Sequence, residues 1–185
     1  HLEQLEVDAV KVLAEAMVHT TCLKLLEIYG HNPLPENICA VFLEGLTRNR
    51  SLDTLKLRIE NDNTSLSKFF RTLQNHPNLR SLDLKCPNMS EQVMENLREW
   101  LCRDDCRLQD LGISRVSHLS TLTTRIGGQV FESRSLKRLQ LSCNYLSSNN
   151  FEGLGLCNTF PNLSILSLYN NNICDLSPLE SILCK

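Results

Sequence analysis

The chain has 185 residues, 19 basic and 21 acidic, for a formal net charge of −2. That length suits one domain, and the charge balance lacks the basic excess that marks a nucleic-acid binder. There is no run of 18 apolar residues and no secretory leader pattern, so the sequence offers neither a membrane span nor a signal peptide.

Seven leucines open the same apolar pattern, L-x-x-[LI]-x-[LIV], at Leu2, Leu23, Leu52, Leu79, Leu108, Leu136 and Leu163. Successive anchors are 21, 29, 27, 29, 28 and 27 residues apart. A period near 28 residues predicts one short strand and one helical return per unit, stacked as a leucine-rich repeat array. The fold class expected is α/β: a solenoid of about seven repeats of 27–29 residues. A curved parallel sheet should line its concave side, with helices on the convex side.

Repeat one is short, and its pattern Leu2/Leu5/Val7 predicts a strand. In repeat three, Leu66, Phe69, Phe70 and Leu73 form a helical face. In repeat four, Ser90 precedes Val93, Met94, Leu97, Trp100 and Leu101, which make one apolar stripe; Trp100 reads as core rather than as a docking aromatic. Repeat five is irregular, rich in Ser and Thr from Ser117 to Thr124 and interrupted by Gly127-Gly128. Repeat six sends Leu139 and Leu141 to one face of its strand and Arg138, Gln140 and Ser142 to the other. Asn144 then stands where a side-chain amide satisfies the backbone leaving the strand, and Asn171 repeats this in repeat seven. The position is lost in the first five repeats (Val10, His31, Glu60, Pro87, Val116). Phe151, Leu154 and Leu156 supply the helical return of repeat six. Ser177-Pro178-Leu179-Glu180 is a capping box that predicts a helix start at 177–178.

The first residue is His1, and the seventh repeat stops inside its expected helix at Lys185. Neither end carries a polar cap, so residues 1–185 are expected to be a segment of a longer array. Nine cysteines are scattered over five repeats without paired spacing. Free cysteine packs as a small hydrophobe, and a reducing compartment maintains it, so a cytoplasmic protein is expected. Four N-x-[ST] sequons, at Asn49, Asn63, Asn88 and Asn162, point the other way.

The period and the segment Leu101-Cys102-Arg103-Asp104-Asp105-Cys106-Arg107-Leu108-Gln109-Asp110-Leu111 resemble the ribonuclease-inhibitor subclass of leucine-rich repeats. That segment is similar to the L-C-x-x-x-x-C-x-L-Q-x-L junction of the arrays carried by NOD-like receptors. The resemblance implies a ligand-sensing or partner-binding array of the kind found in innate-immunity receptors.

No phosphate-binding glycine loop, H-E-x-x-H or G-x-S-x-G element is present. The five histidines form no i, i+4 pair, and Cys102-x3-Cys106 with His118 lacks a fourth ligand for zinc. No catalytic residue, metal or cofactor is expected. Function should therefore reside on the outward positions of the strands, two, four and six residues after each anchor. Those that favour partner contact are Glu6, Glu27, Tyr29, Lys56, Arg58, Asp83, Lys85, Arg138, Gln140 and Tyr169. Their charge runs from acidic in repeats one and two, through mostly basic in three and four, to neutral beyond. The reading is a non-catalytic scaffold for a protein partner, with no nucleic acid or membrane ligand, in an intracellular receptor or adaptor. Alternatives are an autoinhibitory array packed on other domains of its own chain, or the substrate-recognition array of a ubiquitin-ligase adaptor.

Overall fold

The computed structural model describes residues 7–29, 36–58, 63–87, 89–116, 133–151 and 160–177. In chain order these form α1 (Val7–His19), β1 (Leu25–Tyr29), α2 (Glu36–Arg48), β2 (Thr54–Arg58), α3 (Asn63–Leu73) and β3 (Ser81–Leu84). Then come α4 (Glu91–Leu101), β4 (Asp110–Ile113), β5 (Arg138–Gln140), a 3-10 turn (Ser148–Phe151) and β6 (Ile165–Ser167). The six strands make one parallel sheet in sequence order. Each strand begins two residues after its anchor, and the register sets Leu26, Leu55, Leu82, Leu111, Leu139 and Leu166 in one row. Strand, return and in-register strand make this a leucine-rich repeat solenoid.

Alternation along the strands builds the core. Leu82, Leu84, Leu111, Leu139 and Leu141 are all buried, as are the anchors Leu52, Leu79, Leu108 and Leu136. Across this layer lie the expected helical faces: Leu66, Phe69, Phe70 and Leu73 from α3, and Val93, Met94, Leu97, Trp100 and Leu101 from α4. Trp100 belongs to that core. The Ser90 hydroxyl accepts the Val93 N–H at 3.4 Å, capping α4 as its position predicts. Helices α1 and α2 approach closely because Gly45 lacks a side chain: a Cβ there would come within 2.9 Å of the Ala14 Cα.

The start of the chain departs from the expectation. Val7 and Asp8 open α1, so Val7 is not a strand residue and Asp8 does not reach the outward face. Val10, Ala14 and Met17 recur at helical spacing and are buried, and that period overrides the leucine pattern at this point. The glycine-interrupted segment of repeat five, the Leu154/Leu156 return and the capping box after Ser177 lie outside the described residues.

Turn asparagines act as expected. The Asn144 amide nitrogen donates to the Ile113 carbonyl at 2.8 Å, and its oxygen accepts the Val116 N–H at 2.9 Å. Asn171 donates to the Leu141 and Leu168 carbonyls, both at 2.8 Å, and accepts the N–H groups of Asn144 and Leu146. Just before each asparagine, Cys143 and Asn170 adopt the left-handed conformation (φ 61° and 55°), as does Arg115 ahead of Val116 (φ 58°). In repeat four the buried Cys86 takes over part of this task, its thiol facing the Leu57 carbonyl at 4.0 Å. That carbonyl is the equivalent of Ile113 and Leu141, five residues after its anchor.

Candidate partner-binding face

Parallel register places the outward side chains in three rows. The middle row runs Glu27, Lys56, Asp83, Gly112, Gln140 and Ser167; beside it run Leu25, Thr54, Ser81, Asp110, Arg138 and Ile165. Tyr29 and Arg58 begin the third row, which continues beyond the strand ends through Lys85, Ser114, Ser142 and Tyr169. All the expected contact residues from Glu27 onward therefore share one surface. Glu6 lies outside the described residues.

Charges on this surface are paired between repeats. Lys56 meets Glu27 at 2.5 Å, and the Tyr29 hydroxyl donates to the second Glu27 oxygen at 2.5 Å. The Lys56 hydrogen bond, followed by that from Tyr29, holds the Glu27 carboxyl below its usual range. The same two bonds raise the Lys56 ammonium and the Tyr29 phenol above theirs. The Arg58 guanidinium lies 5.1 Å from the centre of the Tyr29 ring and 3.9 Å from the Asp83 carboxylate. Asp83 leans over Gly112, where a Cβ would stand 2.9 Å from its oxygen. Further along, Arg138 faces Asp110 at 3.6 Å. One residue after the anchors, Arg80 similarly faces Asp53 at 3.9 Å.

The expected basic stretch in repeats three and four is thus an alternating one, in which Lys56 and Arg58 each face a carboxylate on a neighbouring strand. Lys85 makes no ion pair among the described residues. Past the Arg138–Asp110 pair the described face carries no charge, with Gln140, Ser142, Ser167 and a largely exposed Tyr169, 77% accessible. Tyr145, in the turn after β5, is 80% accessible and has φ 57°.

No family model matches the sequence, and no curated protein is similar to it. A solved structure described as the crystal structure of a TLR13–ssRNA13 complex aligns with 95% of this chain at 22% identity and a TM-score of 0.43. The chain spans 22% of the length of that protein.

Other chemistry has less support among the described residues. No group of three His, Cys, Asp or Glu side chains converges as metal ligands would, and no helix is long and apolar enough to cross a membrane. Cys39 and Cys86 are buried, whereas Cys102 is exposed and Cys106 half-buried, and none of the four is joined in a disulfide among the described residues. A shallow groove between α1 and α2 is lined by Lys11, Glu15, Glu44 and Arg48 around Ala14 and Gly45, with both signs of charge.

Proposed function

We propose that the protein is a non-catalytic scaffold that docks a protein partner on the outward face of its sheet. It would act as the partner-binding array of an intracellular receptor or adaptor. The observation that carries this reading is the inter-repeat bracing of the outward side chains. Glu27, Lys56, Tyr29, Arg58 and Asp83 hold one another across three strands. Such side chains lose little freedom when a partner arrives, so less of the interaction energy goes into ordering them. Six strands with three outward positions each approach the roughly 20–30 residues that one side of a standard protein interface contributes. Tyr29, Tyr169 and Arg58 are of the types that anchor such interfaces, and the buried cysteine thiols suit a reducing cytoplasm.

The test is site-specific photo-crosslinking from Gln140 and from Lys85 in the full-length protein, followed by measurement of the captured partner's affinity. Joint reversal at Arg58→Glu and Lys85→Glu should slow association and flatten its salt dependence. A partner that crosslinks from the helical side instead, or that binds the double variant with unchanged affinity and salt response, overturns this assignment. Crosslinks solely to other parts of the same chain would turn the scaffold into an autoinhibitory one.

A further inference from the structure

Each described carboxylate on the outward side of the sheet is already engaged by a cation one repeat away. Glu27 holds Lys56, Asp53 faces Arg80, Asp83 faces Arg58 and Asp110 faces Arg138. Once these pairs are made, three cations are left over. Lys24 and Lys137 stand one residue after Leu23 and Leu136, just ahead of β1 and β5, and both are exposed. Lys85 stands just past the other end of β3 and is half-exposed. None of the three ammonium groups has an ion pair or hydrogen bond among the described residues.

The surplus is local to this side. From Leu23 onward, positions one, two, four and six after the anchors hold seven cations and four carboxylates, in a chain of net charge −2. The four helices have the opposite balance, seven carboxylates to five cations. At roughly 4.8 Å between strands and about 3.3 Å per residue, the three free lysines stand about 19 Å from one another. Asp53, Asp83 and Asp110 lie between them. A nucleic-acid backbone, charged at every residue, would run against those carboxylates. A protein surface can set isolated carboxylates over the lysines and uncharged or basic groups over the rest.

We infer that the partner of this face is a protein surface with separated carboxylates, seated with its acidic groups at Lys24, Lys85 and Lys137. The inference rests on the outward-face reading above and adds the partner's charge to it. A patch of this size fits within the roughly 800 Å² that each side of a standard interface buries. The unpaired lysines draw the partner in over distance, and the braced pairs around Asp83 meet it only at contact.

Fluorescence anisotropy on the full-length protein tests this with two labelled probes of equal charge. One is a short peptide alternating glutamate and serine, the other an oligothymidylate. At low salt the peptide is expected to bind more tightly than the oligothymidylate, and to weaken as ionic strength rises. Joint Lys24→Gln, Lys85→Gln and Lys137→Gln should weaken the peptide about tenfold. Lys11→Gln, Arg48→Gln and Lys68→Gln make the same charge change at exposed helix positions, and should weaken it less than about twofold. Tighter binding of the oligothymidylate would overturn the inference in favour of a nucleic acid. Equal weakening in the two triple variants would also overturn it, because net charge alone would then account for binding. So would a peptide that does not bind at low salt. Crosslinking from Gln140 decides the underlying reading separately: a captured partner with a basic contact surface would leave that reading standing and remove this inference.

Discussion

The N–H of Asn144 points to the side-chain oxygen of Asn171 at 2.9 Å, while the Asn144 oxygen receives the N–H of Val116 at 2.9 Å. Each turn is thus closed by the amide of the repeat that follows. Asn144→Ala would strand the Val116 N–H and the Ile113 carbonyl in a buried site, a loss of about 1–3 kcal/mol. Chemical denaturation should show that loss, and the half-buried Asn171 should lose less when replaced in the same way.

Leu139 sits between its register neighbours Leu111 and Leu166. Leu139→Ala should cost about 2–5 kcal/mol, with the exact value set by how far the neighbours collapse. Urea unfolding that shows less than about 0.5 kcal/mol would contradict the burial of this side chain.

His76 is 7% exposed, its Nδ1 accepts the Asn78 N–H at 3.3 Å, and its Nε2 has no hydrogen-bond partner among the described residues. Burial, aided by the nearby Arg50 charge, lowers its pKa below the usual 6.5, while a backbone contact at Asn49 opposes this. The fold therefore favours the neutral ring. The stability this confers is complete above pH 6.5 and falls as pH drops toward the folded value, because the unfolded chain then binds more protons. His76→Gln should flatten the pH dependence of the unfolding midpoint between about pH 7 and 5. An unchanged slope would mean that other groups produce it.

Glu27 is held below its ordinary 4.5 chiefly by Lys56. In a carboxyl-detected NMR titration, Lys56→Gln should return Glu27 toward 4.5, and Tyr29→Phe should move it less. The stabilising contribution of the pair is present above that pH and disappears as pH falls through the lowered value. Equal shifts in the two variants would contradict the dominance of the lysine contact.

Much of this was legible because leucine spacing and strand alternation report the same buried face. The anchors, the α3 and α4 stripes and the roles of Asn144 and Asn171 all follow from that agreement. Val7 and Asp8 did not, because a helix stripe through Val10, Ala14 and Met17 begins within the leucine pattern of the first repeat. The role of Cys86 is not legible in the sequence, because cysteine there packs as a small hydrophobe as readily as it donates, and it stands one residue ahead of the asparagine position. The charge arrangement was hidden for another reason. Glu27 and Lys56, or Arg58 and Asp83, are separated by a whole repeat, and a tally per repeat records their signs without their pairing. Arg115 and Cys143 carry left-handed backbone without the glycine that normally announces it.

The Asn49 side chain lies wholly inside the structure where α2 turns toward β2. Its nitrogen donates to the Met17 carbonyl and the Ser51 hydroxyl, and its oxygen accepts the N–H groups of Ser51 and Leu52. Asn49-Arg50-Ser51 is also an acceptor sequence for N-linked sugar. A glycan transferred to that nitrogen before folding would displace a hydrogen that the junction uses and would have to occupy the space between α1 and β2. Folding and sugar attachment at this position exclude each other, so a secretory route would bring them into competition on every newly made chain.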